Sequence, residues 1–185
     1  MKFLKLLIII FISLTTSIKA EINKNLKDQL EDGGKLIFIR HAYAPGNGDP
    51  VNFNLNDCST QRNLNEKGKI QAKEIGRFFK KNEILVDRVL SSSWCRCIET
   101  ANLAFNDFIK KDFLNSFYSS KFEKNKNIQM KNLREYVKNW DNKKNLVLIT
   151  HYVVILEALN YTPSSGEIVV SDKNFNLIGT YKTKF

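Results

Sequence analysis

The sequence predicts an α/β protein with an open three-layer sandwich, in which a mostly parallel sheet carries helices on both faces. Three observations support this fold class. Short apolar runs, typical of buried strands, alternate with longer segments of helical periodicity. No Pro-rich or Gly/Ser-rich linker interrupts the alternation, and 185 residues fit one domain. Each of the two histidines directly follows an apolar run.

The predicted elements follow one another in the order that such a sandwich requires. The first strand is Leu36 to Arg40, and the helix Glu66 to Phe79 comes after a long loop. The later elements are a strand at Arg88 to Ser92, a helix at Arg96 to Phe108, a helix at Asn127 to Trp140, a strand at Asn145 to Thr150, a helix at Val153 to Leu159, and terminal strands at Glu167 to Ser171 and Asn176 to Lys182. Ligands of open α/β sheets bind beyond the carboxyl ends of the strands, so we expect the site there.

The first twenty residues have the pattern of a secretory signal peptide. Lys2 and Lys5 precede an apolar stretch from Leu6 to Leu14, and Ala20 ends an acceptable cleavage site. The stretch is shorter than the roughly 20 residues of a membrane-spanning helix, although retention as an uncleaved anchor stays open. We therefore predict a signal peptide at 1–20, a folded domain at 21–185, no stable membrane insertion after cleavage, and a periplasmic or secreted location.

The composition is that of a globular protein, with 43% hydrophobic and 26% charged residues, which excludes a disordered chain. The net charge is +10, with 29 Lys and Arg against 19 Asp and Glu. A basic surface can bind nucleic acid or anionic lipid. The chain has no basic helix and no Arg cluster interleaved with aromatic residues, so we expect no nucleic-acid partner.

Export would place the three cysteines, Cys58, Cys95 and Cys97, in an oxidising compartment. Cys58 could form a disulfide with either of the other two, whereas a bridge between Cys95 and Cys97 would be strained. These cysteines and a histidine lack the ligand spacing of a zinc site. We predict structural thiols or one disulfide, with no metal and no cofactor.

The two histidines, His41 and His151, both stand at the predicted ligand-binding edge. Arg40 precedes the first histidine, and a helix begins just after the second, where free backbone N–H groups suit an anion. Imidazoles combined with guanidinium groups suit phosphoryl transfer, because Arg holds phosphate oxygens and a neutral imidazole is nucleophilic at pH 7. The chain has no G-x-S-x-G elbow, Walker loop or G-x-G-x-x-G motif.

Four motifs resemble those of the histidine phosphatase superfamily, also called phosphoglycerate mutase-like. Ile39-Arg40-His41-Ala42 resembles its RHG/RHA signature, and Arg62 to Gly68 followed by Gln71-Ala72 resembles its L-T-x-x-G-x-x-Q-A helix entry. Ser91 to Arg96 with Glu99-Thr100-Ala101 resembles S-S-P-L-x-R-A-x-Q-T-A, and Leu148 to His151 resembles the strand that ends in the second histidine. The resemblance spans roughly residues 36 to 160, in an exported bacterial branch.

This resemblance implies a phosphatase that hydrolyses phosphate monoesters or phosphoramidates through a phosphohistidine intermediate. It implies that His41 attacks phosphorus, that Arg40 and Arg96 hold the phosphoryl oxygens, and that His151 completes the pocket. Arg62 is either a third contact or a solvated loop residue. The expected partner is a small phosphorylated substrate or a phosphoprotein.

One departure from the family pattern concerns the general acid, a Glu that many members carry as L-x-E. Here the corresponding segment, Phe113 to Tyr118, has no carboxylate. Asp49, Glu123 or Glu167 could protonate the leaving group instead, or the substrate could have a good leaving group that needs no acid. The loop Tyr43 to Gln61 lacks the Trp-Asn pattern of the mutases, which favours hydrolysis. The alternatives are a phosphate-binding or regulatory protein with weak turnover, and a phosphomutase.

Overall fold

The computed structural model describes residues 24–183, so the predicted signal peptide lies outside the described residues. Within them the chain forms six helices and six strands, together with 3-10 turns at Cys58–Thr60 and Asp112–Leu114. The helices are α1 (Lys24–Glu31), α2 (Glu66–Lys81), α3 (Cys95–Phe105), α4 (Ser120–Glu123), α5 (Lys126–Lys138) and α6 (Tyr152–Leu159). The strands are β1 (Leu36–Arg40), β2 (Val86–Ser91), β3 (Ile109–Lys110), β4 (Asn145–Thr150), β5 (Ile168–Ser171) and β6 (Leu177–Tyr181).

The six strands form one sheet in the order β3-β2-β4-β1-β5-β6. β1 to β4 pair in parallel, whereas β5 pairs antiparallel with β1 and β6 antiparallel with β5. The predicted fold class, with a mostly parallel sheet, is therefore confirmed. β6 runs antiparallel to β5 because only residues 172–176 connect them, whereas a parallel neighbour needs a crossover of a dozen or more residues.

Helices cover both faces of the sheet, and the strand sequences explain why. Ile37 and Ile39 point into a core with α1, α2 and α3, whereas Leu36 and Phe38 point into a core with α5 and α6. Successive strand side chains alternate between faces, so an all-apolar strand such as β1 needs cover on both sides.

Several features differ from the sequence-based expectation; the short helix α4, for example, was not predicted. Helix α1 was not predicted, because only Leu26 and Leu30 mark its buried side. Strand β3 was not predicted either, since its two residues are exposed and too short to show alternation. Helix α3 ends at Phe105 rather than Phe108, because Asn106 adopts a positive φ of 66° that no helix continues.

The sheet places the two histidines side by side. β1 and β4 are parallel neighbours with Arg40 opposite Thr150, so His41 and His151 leave the same edge of the sheet. Gly68 in α2 lets that helix approach the loop after His41, since a Cβ there would lie 1.9 Å from the Tyr43 carbonyl oxygen. No helix within residues 24–183 has the length and apolar character that a membrane crossing demands.

Candidate active site

His41 is held in one orientation by hydrogen bonds at its backbone and at its ring. Its backbone N–H donates to the Thr150 carbonyl at 2.9 Å, and its ring Nδ1 lies 2.8 Å from the Ala42 carbonyl oxygen. A carbonyl only accepts, so Nδ1 carries the proton and Nε2 keeps its lone pair. The ring is buried but lines the cavity described below. The lone pair of His41 Nε2 is thus available for chemistry.

The His151 ring lies against the His41 ring, with their centroids 5.4 Å apart. Its Nε2 is 2.9 Å from the Ser92 hydroxyl, which in turn donates to Asn115 Oδ1 at 3.1 Å. The Ser93 backbone N–H also donates to Asn115 Oδ1, which fixes that atom as oxygen. The Ser92 proton is therefore directed to Asn115, and His151 Nε2 donates to Ser92. This chain of bonds orients His151 from behind.

Arg40 and Arg96 each present an unpaired donor. Arg40 donates from one terminal nitrogen to the Pro163 carbonyl at 2.9 Å, and its guanidinium lies 5.4 Å from the centre of the Tyr152 ring. Four buried side-chain N or O atoms in residues 24–183 have no hydrogen-bond partner, and two of them are Arg40 Nε and Arg96 Nε. A buried donor without a partner is costly. Two such donors on arginines that line one cavity indicate an anion site.

Asp49 pairs with Arg96 through both carboxylate oxygens, at 2.6 and 3.2 Å. The same carboxylate accepts the Trp94 indole N–H at 3.0 Å and the Arg62 backbone N–H at 3.1 Å. Arg62 itself donates to the carbonyls of Gly48 and Ala44, so it supports the loop while its side chain lines the cavity. Arg62 is therefore a loop residue and a cavity residue at once.

The electrostatics of the site keep both imidazoles neutral. Burial, and then the charge of Arg96, hold the pKa of His41 and of His151 well below the ordinary value. Burial alone would raise the pKa of Asp49, but the hydrogen bonds and charge of Arg96 outweigh it and lower that pKa. Three arginines thus face one ionised carboxylate, which leaves an excess of positive charge for an anionic ligand.

A disulfide joins the loop Tyr43 to Gln61 to the start of α3. The structure pairs Cys58 with Cys95, so of the two bridges that the sequence left open this one forms. Cys97 stays a free, buried thiol whose Sγ lies 3.5 Å from His151 Nε2. Burial raises the pKa of Cys97 to about 12. The disulfide fixes Asp49's loop against the helix that carries Arg96.

All four residues proposed from the sequence, Arg40, His41, Arg96 and His151, line one cavity of about 620 Å³. This volume is in the range of ligand sites. The other lining residues come from the loop after β1, the turn before α3, the segment from Ser116 to Phe122, and the residues around α6. The opening lies at the carboxyl ends of β1 and β4, where the fold class predicted it.

Of the three carboxylates considered as general acids, Asp49 alone lines this cavity. Glu123 is exposed on α4, and Glu167 is buried under the site, where it accepts hydrogen bonds from the Tyr161 hydroxyl and the Ser164 N–H. The segment from Phe113 to Tyr118 contributes Ser116 and Tyr118 to the lining, in place of an acid.

Sequence reasoning missed several contributors to the cavity. It did not place the aromatic residues Phe53, Trp94, Phe122 and Tyr152 there, nor the bond between Ser92 and His151. Trp94 and Tyr152 carried a usable signal, because each directly adjoins a predicted site element. Among residues 24–183, no group of three or more His, Cys, Asp or Glu is placed to hold a metal ion.

The fold and the site together define an α/β protein with a positively charged cavity at the edge of a mostly parallel sheet, where two neutral imidazoles lie beside three arginines. The chain belongs to the histidine phosphatase superfamily (branch 1), whose family model matches residues 36–150. The family resemblance noted in the sequence is therefore confirmed, and it supports phosphatase or phosphomutase activity.

Solved structures of similar fold include members with stated activities. The protein histidine phosphatase SixA, complexed with tungstate, shares 15% identity at a TM-score of 0.52, over 79% of this chain and 95% of that one. A structure assigned as SixA from Agrobacterium tumefaciens shares 19% identity at 0.56, over 80% and 98%. A histidine-to-alanine mutant of phosphoserine phosphatase from Entamoeba histolytica, with phosphoserine, shares 18% at 0.52, over 74% and 89%. At these identities the likeness shows the fold alone. No curated protein matches the chain significantly.

Proposed function

We propose that the protein hydrolyses phosphate monoesters or phosphoramidates through a phosphohistidine formed on His41. One observation carries this proposal: the unprotonated Nε2 of His41 lines the same cavity as two arginines, each with an unpaired buried Nε. A phosphoryl group in that cavity would have oxygens for both donors and phosphorus in reach of the nucleophile.

In the first step, the Nε2 lone pair of His41 forms a bond to phosphorus while the bond from phosphorus to the leaving atom breaks. The leaving group departs with the electron pair of that bond. Arg40 and Arg96 neutralise the phosphoryl oxygens. Ser92 and Asn115 hold the neutral His151 ring in place beside His41, where it completes the pocket. Arginine donors that are already oriented cost no reorganisation at this moment, and Asp49 orients Arg96 in this way.

In the second step, water attacks phosphorus, the N–P bond breaks, and its electron pair returns to His41 Nε2. The water protons remain with phosphate and solvent. Neutral His41 is regenerated, because burial and the charge of Arg96 hold its pKa low. Hydrolysis rather than transfer follows when water is the acceptor.

The leaving group receives little help from an acid. Asp49 is ionised at neutral pH, since Arg96 lowers its pKa, and an ionised carboxylate has no proton to give. We therefore expect substrates with good leaving groups, such as aryl phosphates and phosphoramidates, to be hydrolysed faster than alkyl phosphates. A small phosphorylated molecule or a phosphoprotein would supply such a group.

We also propose a periplasmic or secreted location. The signal-like pattern of residues 1–20 supports it, as does the Cys58–Cys95 disulfide, because disulfides persist in oxidising compartments. Expression of the tagged full chain in a bacterial host would test this: processing near residue 20 and recovery outside the cytoplasm are expected. Unprocessed protein in the cytoplasm would contradict the proposal.

The decisive experiment uses p-nitrophenyl phosphate and the variants His41→Ala and His41→Gln. Both should abolish hydrolysis, and circular dichroism should show that they remain folded. Rapid quenching with labelled substrate should trap a label on the wild type that is lost in acid and retained in alkali, as a phosphoramidate would be. A His41 variant with near-wild-type turnover would exclude the mechanism.

The same experiment separates the second candidate, a phosphate-binding or regulatory protein with weak turnover, which the lack of a protonated acid favours. That protein would bind phosphate and still fail to turn over p-nitrophenyl phosphate. A phosphomutase would instead show transfer that a bisphosphate primer stimulates.

A further inference from the structure

Aromatic rings line the cavity in two groups beside the histidine pair. We call Phe53, Trp94, Tyr118, Phe122 and Tyr152 the ring wall; all five line the cavity. The His151 ring contacts Trp94 at a centroid distance of 5.4 Å, and Trp94 stacks on Phe53 at 5.1 Å. Phe122 meets both of those rings edge-on, at 5.5 and 5.6 Å.

Tyr152 and Tyr118 form the second part of the ring wall. Tyr152 follows His151 in the chain and lies under the Arg40 guanidinium, and Tyr118 packs near it at 5.8 Å. Tyr118 is 56% exposed although it borders the cavity. An aromatic ring held beside an anion site, yet left open to water, can contact a ligand.

The charges in the cavity restrict that ligand further. Asp49 is the only acidic residue among the described residues of the lining, and Arg96 occupies both of its oxygens. No carboxylate is thus left for a cationic leaving group. Lys121 adds a further positive charge to the lining. The cavity of about 620 Å³ also leaves room for a group well beyond phosphate.

We propose that the substrate is a phosphate monoester of a small molecule whose leaving group carries a flat, uncharged or anionic ring that lies against the ring wall. This inference rests on the proposed function, since the phosphoryl group must sit between Arg40 and Arg96 for the leaving group to reach those rings. Flat rings gain from offset or edge contacts with other rings beyond what their apolar area alone provides. A puckered ring of equal size buries a similar apolar area but cannot make these ring-to-ring contacts.

The test compares two non-hydrolysable phosphonates, 2-phenylethylphosphonate and 2-cyclohexylethylphosphonate, by calorimetry on the full folded protein. They differ in whether the six-membered ring is flat or puckered. The flat ring should bind roughly 3- to 10-fold more tightly, the ratio expected for aromatic contacts. The corresponding esters, benzyl phosphate and cyclohexylmethyl phosphate, should show the same order in kcat/KM, since both release a primary alkoxide.

Two variants connect the preference to the ring wall. Phe122→Leu and Tyr118→Leu keep an apolar side chain and remove its flat ring, so each should move the ratio of the two dissociation constants toward one. Tyr118→Leu is the safer variant because Tyr118 is exposed and its loss should leave the fold intact. Tyr136→Leu is the matched control: Tyr136 pairs with Phe113 outside this cavity, and its removal should leave the ratio unchanged.

The outcomes separate this inference from the proposed function. Equal binding of the two phosphonates, or a ratio that both ring-wall variants leave intact, overturns the inference even if His41-dependent hydrolysis is observed. A clear preference for the flat ring without any turnover of p-nitrophenyl phosphate supports the proposed ligand class and contradicts the proposed phosphatase activity.

Discussion

Replacing Asp49 with asparagine removes the negative charge that pairs with Arg96 while it preserves the shape of the side chain. The Arg96 side chain is 4% exposed and that of Asp49 17% exposed, so the pair is largely out of water. Breaking a buried ion pair by removing one partner costs about 3–5 kcal/mol, because the other charge is left uncompensated. The cavity is open to solvent at its mouth, which favours the lower end of this range.

The geometry shows why asparagine cannot replace the carboxylate. One oxygen of Asp49 accepts from Arg96 and the Arg62 N–H, and the other accepts from Arg96 and the Trp94 indole. An amide has one oxygen, so in either orientation its NH₂ group faces two donors. We expect Asp49→Asn to lower the free energy of unfolding by about 3 kcal/mol.

Urea denaturation at pH 7 measures this loss of stability. A second measurement, with inorganic phosphate added, tests its electrostatic cause. Phosphate can supply the charge that Arg96 has lost, so it should stabilise Asp49→Asn more than the wild type. Asp57→Asn is the matched control, because Asp57 lies in the same loop but is exposed and asparagine caps equally well; it should change stability by less than about 0.5 kcal/mol.

The effect should also depend on pH with a definite sign. The folded-state pKa of Asp49 is lowered, so the stability it contributes is present above the unfolded pKa of about 3.9 and is lost as the pH falls through the lower folded value. The difference between wild type and Asp49→Asn should therefore be full at pH 7 and shrink in acid below pH 4. Equal urea midpoints at pH 7, or equal stabilisation of both proteins by phosphate, would refute this reasoning.

Three further predictions concern the arginine, the nucleophile and the cysteines. Arg96→Ala should lower kcat for p-nitrophenyl phosphate by about 100-fold, as the loss of one oriented transition-state donor does; an effect on KM alone would mean that Arg96 binds substrate and transition state equally. The pKa of His41 lies well below 6.5, so kcat/KM should stay constant as the pH falls past 6.5 and drop only at the lower pKa. The values must first be corrected for the ionisation of the substrate. A decline centred near 6.5 would show a histidine whose pKa is not shifted. Alkylation of the denatured protein should find one thiol, Cys97, before reduction and three after it, and reduction of Cys58–Cys95, 37 residues apart, should cost about 4 kcal/mol of stability; three thiols at the outset would exclude the bridge.

The two histidines could be predicted as neighbours because each follows an apolar strand, and adjacent parallel strands end at the same edge of the sheet. The partnership between Asp49 and Arg96 could not, since 47 residues separate them and the loop around Asp49 has no periodic pattern. Arg96 was found through its motif, whereas Asp49 entered only as one of three possible acids. Local patterns report burial, and contacts between a loop and a distant helix leave no such pattern.

The terminal strands and α1 show how far local sequence patterns could predict the fold. The bounds of β5 and β6 were predicted to within one residue, and for β5 the signal was the short apolar run Ile168 to Val170. Their antiparallel direction depends on chain connections rather than on the strands themselves. Helix α1 has two buried leucines, too few to distinguish it from a polar loop.

The placement of Cys97 protects the pairing of the other two cysteines. Cys97 is two residues from the Cys58–Cys95 bridge, close enough to be a competing partner for Cys58. Exchange requires the thiolate, and burial raises the pKa of Cys97 to about 12, so this sulfur stays protonated at neutral pH. The buried Cys97 thiol is therefore a poor competitor of Cys95 for Cys58 in the folded protein. Burial of this one sulfur thus helps to keep the loop of Asp49 joined to Cys95, at the start of the helix that carries Arg96.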